Sequence, residues 1–405
     1  MNCNVFSYLK SSVISYPEKV ALVDKNSSVT YSEYDRASGM IAWHLIHKGL
    51  FKQPIAVLTE KSVNAVISYI GVARSGNYYT VIDSKMPFER ANKIITTFMP
   101  SVIICDGSNI EMAENLSGSG QIQVLCYEDI SEGDFNDGKK NEIVERESRV
   151  IDTDILYVLF TSGSTGVPKG VIISHRSVID YIEWAAETFG FGHDNIWGNQ
   201  APFYFDNSVL DIYSSLRGGG CMHIIPQKCF SFPIRLLEYI RDNNINTIFW
   251  VPTVLSRVAD VDILDKCDIN CLKNILFAGE VMPAKQLNAW RKRLPDAVFA
   301  NLYGPTEITV DCTYYICDRE IADGESVPIG WPCRNSDVLI LNNENRPVAT
   351  GEKESFVFAD HLWHLDITTI RSGQRLRLFR ILYTTFMRKK YTEREILYIL
   401  MNVVK

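Results

Sequence analysis

Seven apolar, β-branched runs punctuate the chain: "PIAVLTE" (54–60), "YYTVID" (78–83), "SVIICD" (101–106), "ILYVLFT" (155–161), "NTIFWVP" (246–252), "NILFAGE" (274–280) and "AVFANLYG" (297–304). Short continuous apolar runs of this kind predict strands buried on both faces. Between them lie segments with apolar residues at helical spacing: "SVNAVISYIGVARSG" (62–76), closed by a glycine stop, "SFPIRLLEYIRDNN" (231–244) and "MPAKQLNAWRKRLP" (282–295). Strands alternating with helices predict α/β layers with largely parallel sheets. The charge-rich stretch 127–154 is expected to be a linker or surface loop. The expected organisation is an α/β unit over 1–150, a second over 151–300, and the start of a β-rich unit over 301–353.

Length and composition narrow the class. With 405 residues the chain can bury a sizeable core in two or three units, and 46% hydrophobic residues argue against disorder. The net charge of −7 gives no reason to expect nucleic acid or an anionic membrane as partner. No apolar run approaches the roughly 20 residues of a membrane span, and the N-terminus lacks the basic and apolar parts of a signal peptide. Ten cysteines without CxxC pairs read as reduced thiols, which points to the cytoplasm.

The candidate chemistry starts where the 155–161 strand ends. It runs into Thr161-Ser162-Gly163-Ser164-Thr165-Gly166, followed by Pro168 and Lys169, a phosphate loop over 161–170. Glycines permit close backbone approach, and successive N–H groups with several hydroxyls form a concave anion site beside a mobile lysine charge. The spacing is not that of a Walker loop.

This string, "FTSGSTGVPKGV", resembles the phosphate-loop signature of the adenylate-forming (AMP-binding) ligases, which include the amino acid adenylation domains of peptide synthetases. Further segments resemble that family in order: "VTYSEYDRAS" (29–38), "GVARSGNYYTVIDSKMPFERANKII" (71–95), "NQAPFYFDNSVLDIYSSLRGGG" (199–220), "LFAGEVMP" (276–283) and "NLYGPTE" (301–307). The third and fourth are most similar to the D-alanine–carrier protein ligase branch. The resemblance covers residues 10–353 and implies the family's large N-terminal domain: two α/β subdomains and a β-rich subdomain.

It also implies ATP and Mg²⁺ as cofactors, an amino acid substrate, and a phosphopantetheinylated carrier protein as partner. Thr161, Ser162, Gly163, Ser164, Thr165, Gly166 and Lys169 would hold the β- and γ-phosphates, Thr306 the α-phosphate, and Glu307 the Mg²⁺. Asn301 and the backbone of Ala278, Gly279 and Glu280 would flank the adenine, with Tyr303 packed on it. Asp206 stands where family members pair an aspartate with a substrate α-amino group. The implied side-chain pocket is Asn207, Leu210, Phe249, Leu276, Ala278, Leu302, Val310 and Asp311. Its bulky walls suggest a small substrate; the branch favours D-alanine, while Asp311 suits a hydroxyl and so serine. Ala278 departs from the cysteine found in D-alanine ligases.

After "NRPVATGEK" the family pattern stops, and residues 354–405 carry nine basic against five acidic side chains. Back-translation of 354–371 and 387–398 with a shift of two bases yields ELCVRGPSLAFGYYNDP and EEKIYRTGDIV, which carry two missing family motifs. Residues 354–405 are therefore expected to be an out-of-frame tail, with the C-terminal domain and its lysine lost. A non-catalytic nucleotide- or carrier-binding remnant is the alternative reading.

Overall fold

A computed structural model describes residues 4–118, 120–161, 168–322, 324–341, 355–360 and 369–370. Among these, two large sheets form the framework. The nine-stranded sheet runs Trp331–Pro332, Thr313–Ile316, Val298–Tyr303, Asn274–Phe277, Thr247–Trp250, Ile196–Asn199, Cys221–Ile224, Val20–Val23 and Ser28–Thr30. Its centre is parallel and its two edges antiparallel. The seven-stranded sheet runs Thr369–Ile370, Lys169–Ser174, Ile155–Thr161, Tyr78–Asp83, Pro54–Thr59, Val102–Cys105 and Gln123–Cys126.

The seven expected strands all form, two of them (Tyr78–Asp83 and Ile155–Thr161) residue for residue. The three expected helices are Val63–Arg74, Pro233–Asp242 and Ala284–Arg293. Side-chain alternation explains the layers. Ile248, Trp250, Ile275, Phe277 and Phe299 pack into one core with the helical residues Leu236, Leu255 and Trp290. Phe249, Leu276, Ala300 and Leu302, on the other face, join a second core with Leu210 and Tyr213 of the Asn207–Gly218 helix and Tyr157 and Leu159 of the smaller sheet. That second core lies between the sheets.

The chain crosses between the sheets in a way that the expected boundaries do not follow. Residues 20–30 pair in the larger sheet with 221–224, although they precede 150, while 155–174 pair in the smaller sheet. Position 301 falls inside the Val298–Tyr303 strand, and a separate two-stranded piece pairs Ser336–Leu341 with Ser355–Asp360. The stretch 127–154 is not a linker. It contains the helices Tyr127–Ser131 and Asp137–Glu147. The second is fixed by burial of Ile143 and by Glu147, whose carboxylate takes the Arg74 guanidinium at 2.7 Å. Arg74 also reaches Asp35 at 2.9 Å, and Lys10 pairs with Glu147. A charged segment can thus be anchored by a buried ion-pair network as well as by apolar contacts.

Candidate active site

The phosphate-loop candidates Ser162, Gly163, Ser164, Thr165 and Gly166 lie outside the described residues. The two ends of the loop do not: Thr161 closes one strand and Lys169 opens the next, and they face each other across an antiparallel pair. The Lys169–Ser174 strand packs beside the short helical turn Thr306–Ile308, so loop and "YGPTE" segment converge.

Asp206 sits at the start of the Asn207–Gly218 helix but does not cap it with its side chain. Its carboxyl instead lies beside the Thr306 hydroxyl. Burial pushes this carboxyl above the ordinary aspartate range, the Thr306 hydroxyl and the backbone amides of Asp206 and Asn207 draw it back, and nearby Glu307 pushes it up. Residues 100 positions apart in sequence are therefore in one site. Asp311 belongs to it as well. It is buried, accepts the Tyr181 hydroxyl at 2.6 Å, and lies within electrostatic reach of Asp206. Desolvation, moderated by the Tyr181 bond, pushes it up to about 8.

The remaining pocket candidates line the same inter-sheet core. Phe249 stands opposite Leu276, and Leu276 opposite Ala300, on neighbouring strands. Leu210, Ala278, Leu302 and Val310 are buried in that cluster, and Asn207 is half-buried on the first turn of its helix. The adenine candidates occupy the other face of the 298–303 strand. Asn301 is buried and donates to the Pro328 carbonyl at 2.8 Å, while Tyr303 is 41% exposed. Gly279 adopts φ +88 with open space where a Cβ would stand, which suits close approach of a flat ligand. The Glu280 carboxylate is engaged: it accepts the Thr253 amide at 2.9 Å and the Thr253 hydroxyl. Glu307 is exposed and makes no hydrogen bond or ion pair among the described residues.

Two groups near the site escaped the sequence reading. Tyr181, on the His175–Phe189 helix, has no local signal; only its partner in space reveals it. Lys61, in the turn between the Pro54–Thr59 strand and the Val63–Arg74 helix, reaches across from the smaller sheet to donate to the Gln200 carbonyl at 2.9 Å. Burial lowers it to about 7 despite Asp211 and Asp83 nearby. Asp211 is fully buried, takes the Asn199 amide at 2.6 Å, and is pushed up to about 8 by desolvation. An open groove of about 730 Å³ lies elsewhere, along Lys285, Arg291, Lys292 and Arg319, and contains none of these residues.

Two α/β sheets bring the strand ends at Thr161 and Lys169 beside the Thr306–Ile308 turn, with Asp206 close to that turn. The chain belongs to the AMP-binding enzyme family, whose model matches residues 9–355, and is by family an AMP-forming ligase.

Among curated relatives, it is 30% identical over 351 residues to the L-proline–[L-prolyl-carrier protein] ligase of Pseudomonas fluorescens, covering 85% of this chain and 70% of that one. It is also 30% identical over 353 residues to the D-alanine–D-alanyl carrier protein ligase of Staphylococcus epidermidis, covering 87% and 69%. Among solved structures, the nonribosomal peptide synthetase FmoA3 superposes with TM-score 0.78 at 20% identity over 88% of this chain, which spans 37% of that longer one. The N-terminal subdomain of Klebsiella oxytoca NpsA superposes with TM-score 0.72 at 18% identity, covering 89% and 88%. These two likenesses establish the fold.

Proposed function

We propose that this chain activates a small amino acid, D-alanine or serine, as its adenylate for transfer to a phosphopantetheinyl carrier protein. The observation that carries the reading is Asp206, a half-buried carboxylate that lies beside Thr306 and close to Glu307. An ionised carboxylate in an apolar pocket needs a compensating charge, and a substrate α-ammonium supplies it. That contact would hold the amino acid with its carboxylate toward the α-phosphate of ATP. The carboxylate oxygen attacks the α-phosphorus, the bond to the bridging oxygen breaks, and pyrophosphate leaves. Alignment and charge neutralisation do most of this work. In the second step a carrier thiol, losing its proton, attacks the acyl carbon and AMP departs.

The phosphate loop and Lys169 would hold the β- and γ-phosphates, and Asn301, Tyr303 and the 278–280 backbone the adenine. The exposed, unengaged carboxylate of Glu307 fits Mg²⁺, which takes one or two protein carboxylates together with phosphate oxygens. Among the described residues no group of three or more His, Cys, Asp or Glu could hold a metal alone, in keeping with a site shared with substrate. When bound, Mg²⁺ supplies charge neutralisation at the phosphates. Among the described residues no helix is long and apolar enough to cross a membrane, and the described cysteines are free thiols, which favours a cytoplasmic setting.

Residues 354–405 are best read as out-of-frame translation, so that the chain as written is impaired. The match to the family model ends at 355, beside the position inferred for the lost base. The pairing of 355–360 with 336–341 is compatible with this, since a backbone ladder makes little demand on side-chain identity. Sequencing the locus tests it; a frame intact through this region would refute it. Amino-acid-dependent ATP–pyrophosphate exchange on a frame-restored chain tests the activity. Exchange is expected, and its absence from a folded, frame-restored protein would overturn the reading in favour of a non-catalytic binding remnant.

A further inference from the structure

We infer that Lys61 is a positioning residue for substrate recognition: from the smaller sheet it holds the 199–206 segment of the larger one, and through that segment it sets where Asp206 stands. The inference rests on the adenylation reading, in which Asp206 receives the substrate α-ammonium, and adds a residue that acts through it.

The turn that carries Lys61 is itself fixed. The Glu60 amide donates to the Asp106 carboxylate at 3.2 Å, just past the Val102–Cys105 strand of the smaller sheet. The Val63 amide donates to the Asp24 carboxylate at 2.8 Å, just past the Val20–Val23 strand of the larger sheet. Ser62 caps the Val63–Arg74 helix by accepting the Ala65 amide. The Lys61 side chain thus leaves from a place tied to both sheets.

It meets the 199–206 segment at three points. Its ammonium donates to the Gln200 carbonyl at 2.9 Å and to the Asn199 carbonyl at 3.5 Å, and stands 5.5 Å from the centre of the Phe203 ring, within cation–π reach. Phe203 is buried, and its ring meets Tyr69 of the Val63–Arg74 helix edge-on at 5.9 Å. The far end of the segment is tied back to its start. Asn199 donates to Asp211 at 2.6 Å, and Asp211 lies on the Asn207–Gly218 helix that Asp206 precedes. Asp206 therefore stands where a loop seated on Lys61 returns to a helix seated on Asn199.

A bond to a backbone carbonyl fixes main chain, whereas a bond to a side chain fixes only a rotamer. That distinction bears on Asp206, whose side chain does not cap its helix, so its backbone path does much to decide where the carboxylate stands. Burial works against the Lys61 charge, yet the charge is set on two carbonyls of one segment, and charge-assisted bonds of this kind are the stronger ones. Misplacing a substrate-orienting group by about 1 Å can cost about 10²-fold.

The test is a double-mutant cycle on the full chain with Lys61→Met and Asp206→Asn. The ligands are seryl- and alanyl-5′-O-sulfamoyladenosine and AMP, with affinities from isothermal titration calorimetry, by displacement for weak variants, and folding checked by circular dichroism. Lys61→Met should weaken the aminoacyl probe that wild type binds more tightly by about tenfold or more and AMP by less than about twofold. In the Asp206→Asn background, Lys61→Met should cost that probe less than about twofold, because the contact it positions is already gone. Lys61→Gln replaces Lys61→Met in the cycle if the latter does not fold, with the same split expected. Equal losses for probe and AMP would show that Lys61 only supports the fold. No loss, or a full loss repeated in the Asp206→Asn background, would show that it does not act through Asp206. Each of these results overturns the inference and leaves the adenylation reading standing. Binding of AMP by a folded wild-type chain that takes neither aminoacyl probe overturns the adenylation reading, and this inference with it.

Discussion

Replacing Asp206 by asparagine removes one charge and almost no volume. In the wild-type chain the Thr306 hydroxyl and the amides of Asp206 and Asn207 favour the ionised form of the carboxyl. These keep it ionisable in a place where burial works against the charge. On the proposed reading, the ammonium of a bound amino acid would complete an ion pair with it. Removing one partner of such a pair costs about 3–5 kcal/mol, because the other is left uncompensated. At about 1.4 kcal/mol per tenfold, aminoacyl-sulfamoyladenosine should bind about 100- to 3,000-fold more weakly to Asp206→Asn. AMP, which lacks the ammonium, should lose far less. Calorimetric titration of both ligands into both proteins measures the difference. Equal losses for the two ligands would mean that Asp206 supports the fold or the nucleotide side only. Unchanged affinity for the aminoacyl ligand would remove it from substrate recognition.

Three further outcomes follow from the packing. Gly304→Ala would place a Cβ 2.9 Å from the Cys312 amide nitrogen and closer still to Val310, so a loss of about 1–3 kcal/mol in denaturant unfolding is expected; no loss would mean that the 309–312 turn relaxes freely. Arg74→Met leaves Asp35 unpaired and Glu147 with Lys10 alone, at a cost of about 3–5 kcal/mol; adding Glu147→Leu should recover much of it, and no recovery would refute the ion-pair account. Asp211 titrates near pH 8 when folded against 3.8 as its ordinary value, so the folded state holds a proton that the unfolded chain has lost between those limits. Stability from this group is therefore full below pH 4 and falls as pH rises to 8, by at most about 1.4 kcal/mol per unit. Lys61, lowered to about 7, acts oppositely between 7 and 10.5. Asp211→Asn should flatten the fall between pH 5 and 8 in unfolding titrations, and parallel curves would contradict it.

Much of the framework was legible because a strand buried on both faces must be apolar throughout, as "YYTVID" and "ILYVLFT" are. The strands Ile196–Asn199 and Cys221–Ile224 were not: each is four residues long and mixes in Asn, Gly or His, so neither period nor composition marks it. The Asp137–Glu147 helix was hidden by its charge, since what ties it down is an ion pair with a residue 73 positions away. The site divides similarly. The loop, Asp206 and the 301–307 segment announce themselves through local residue order. The hydrogen bond from Tyr181 to Asp311 spans 130 positions and joins a helix to a turn, and nothing in either neighbourhood signals the other.

The crossing of the chain between its sheets sets an order of assembly during synthesis. Leu22 pairs with Met222, exactly 200 residues later in the chain. At about 5–20 residues per second, the N-terminal hairpin waits roughly 10–40 s on the ribosome before the strand it joins exists. The smaller sheet has six of its seven strands by residue 174 and can collect itself meanwhile. The Val20–Val23 and Ser28–Thr30 strands are thus made before the other described strands yet are among the later ones to find their place, and through that interval their open edges are exposed to mispairing.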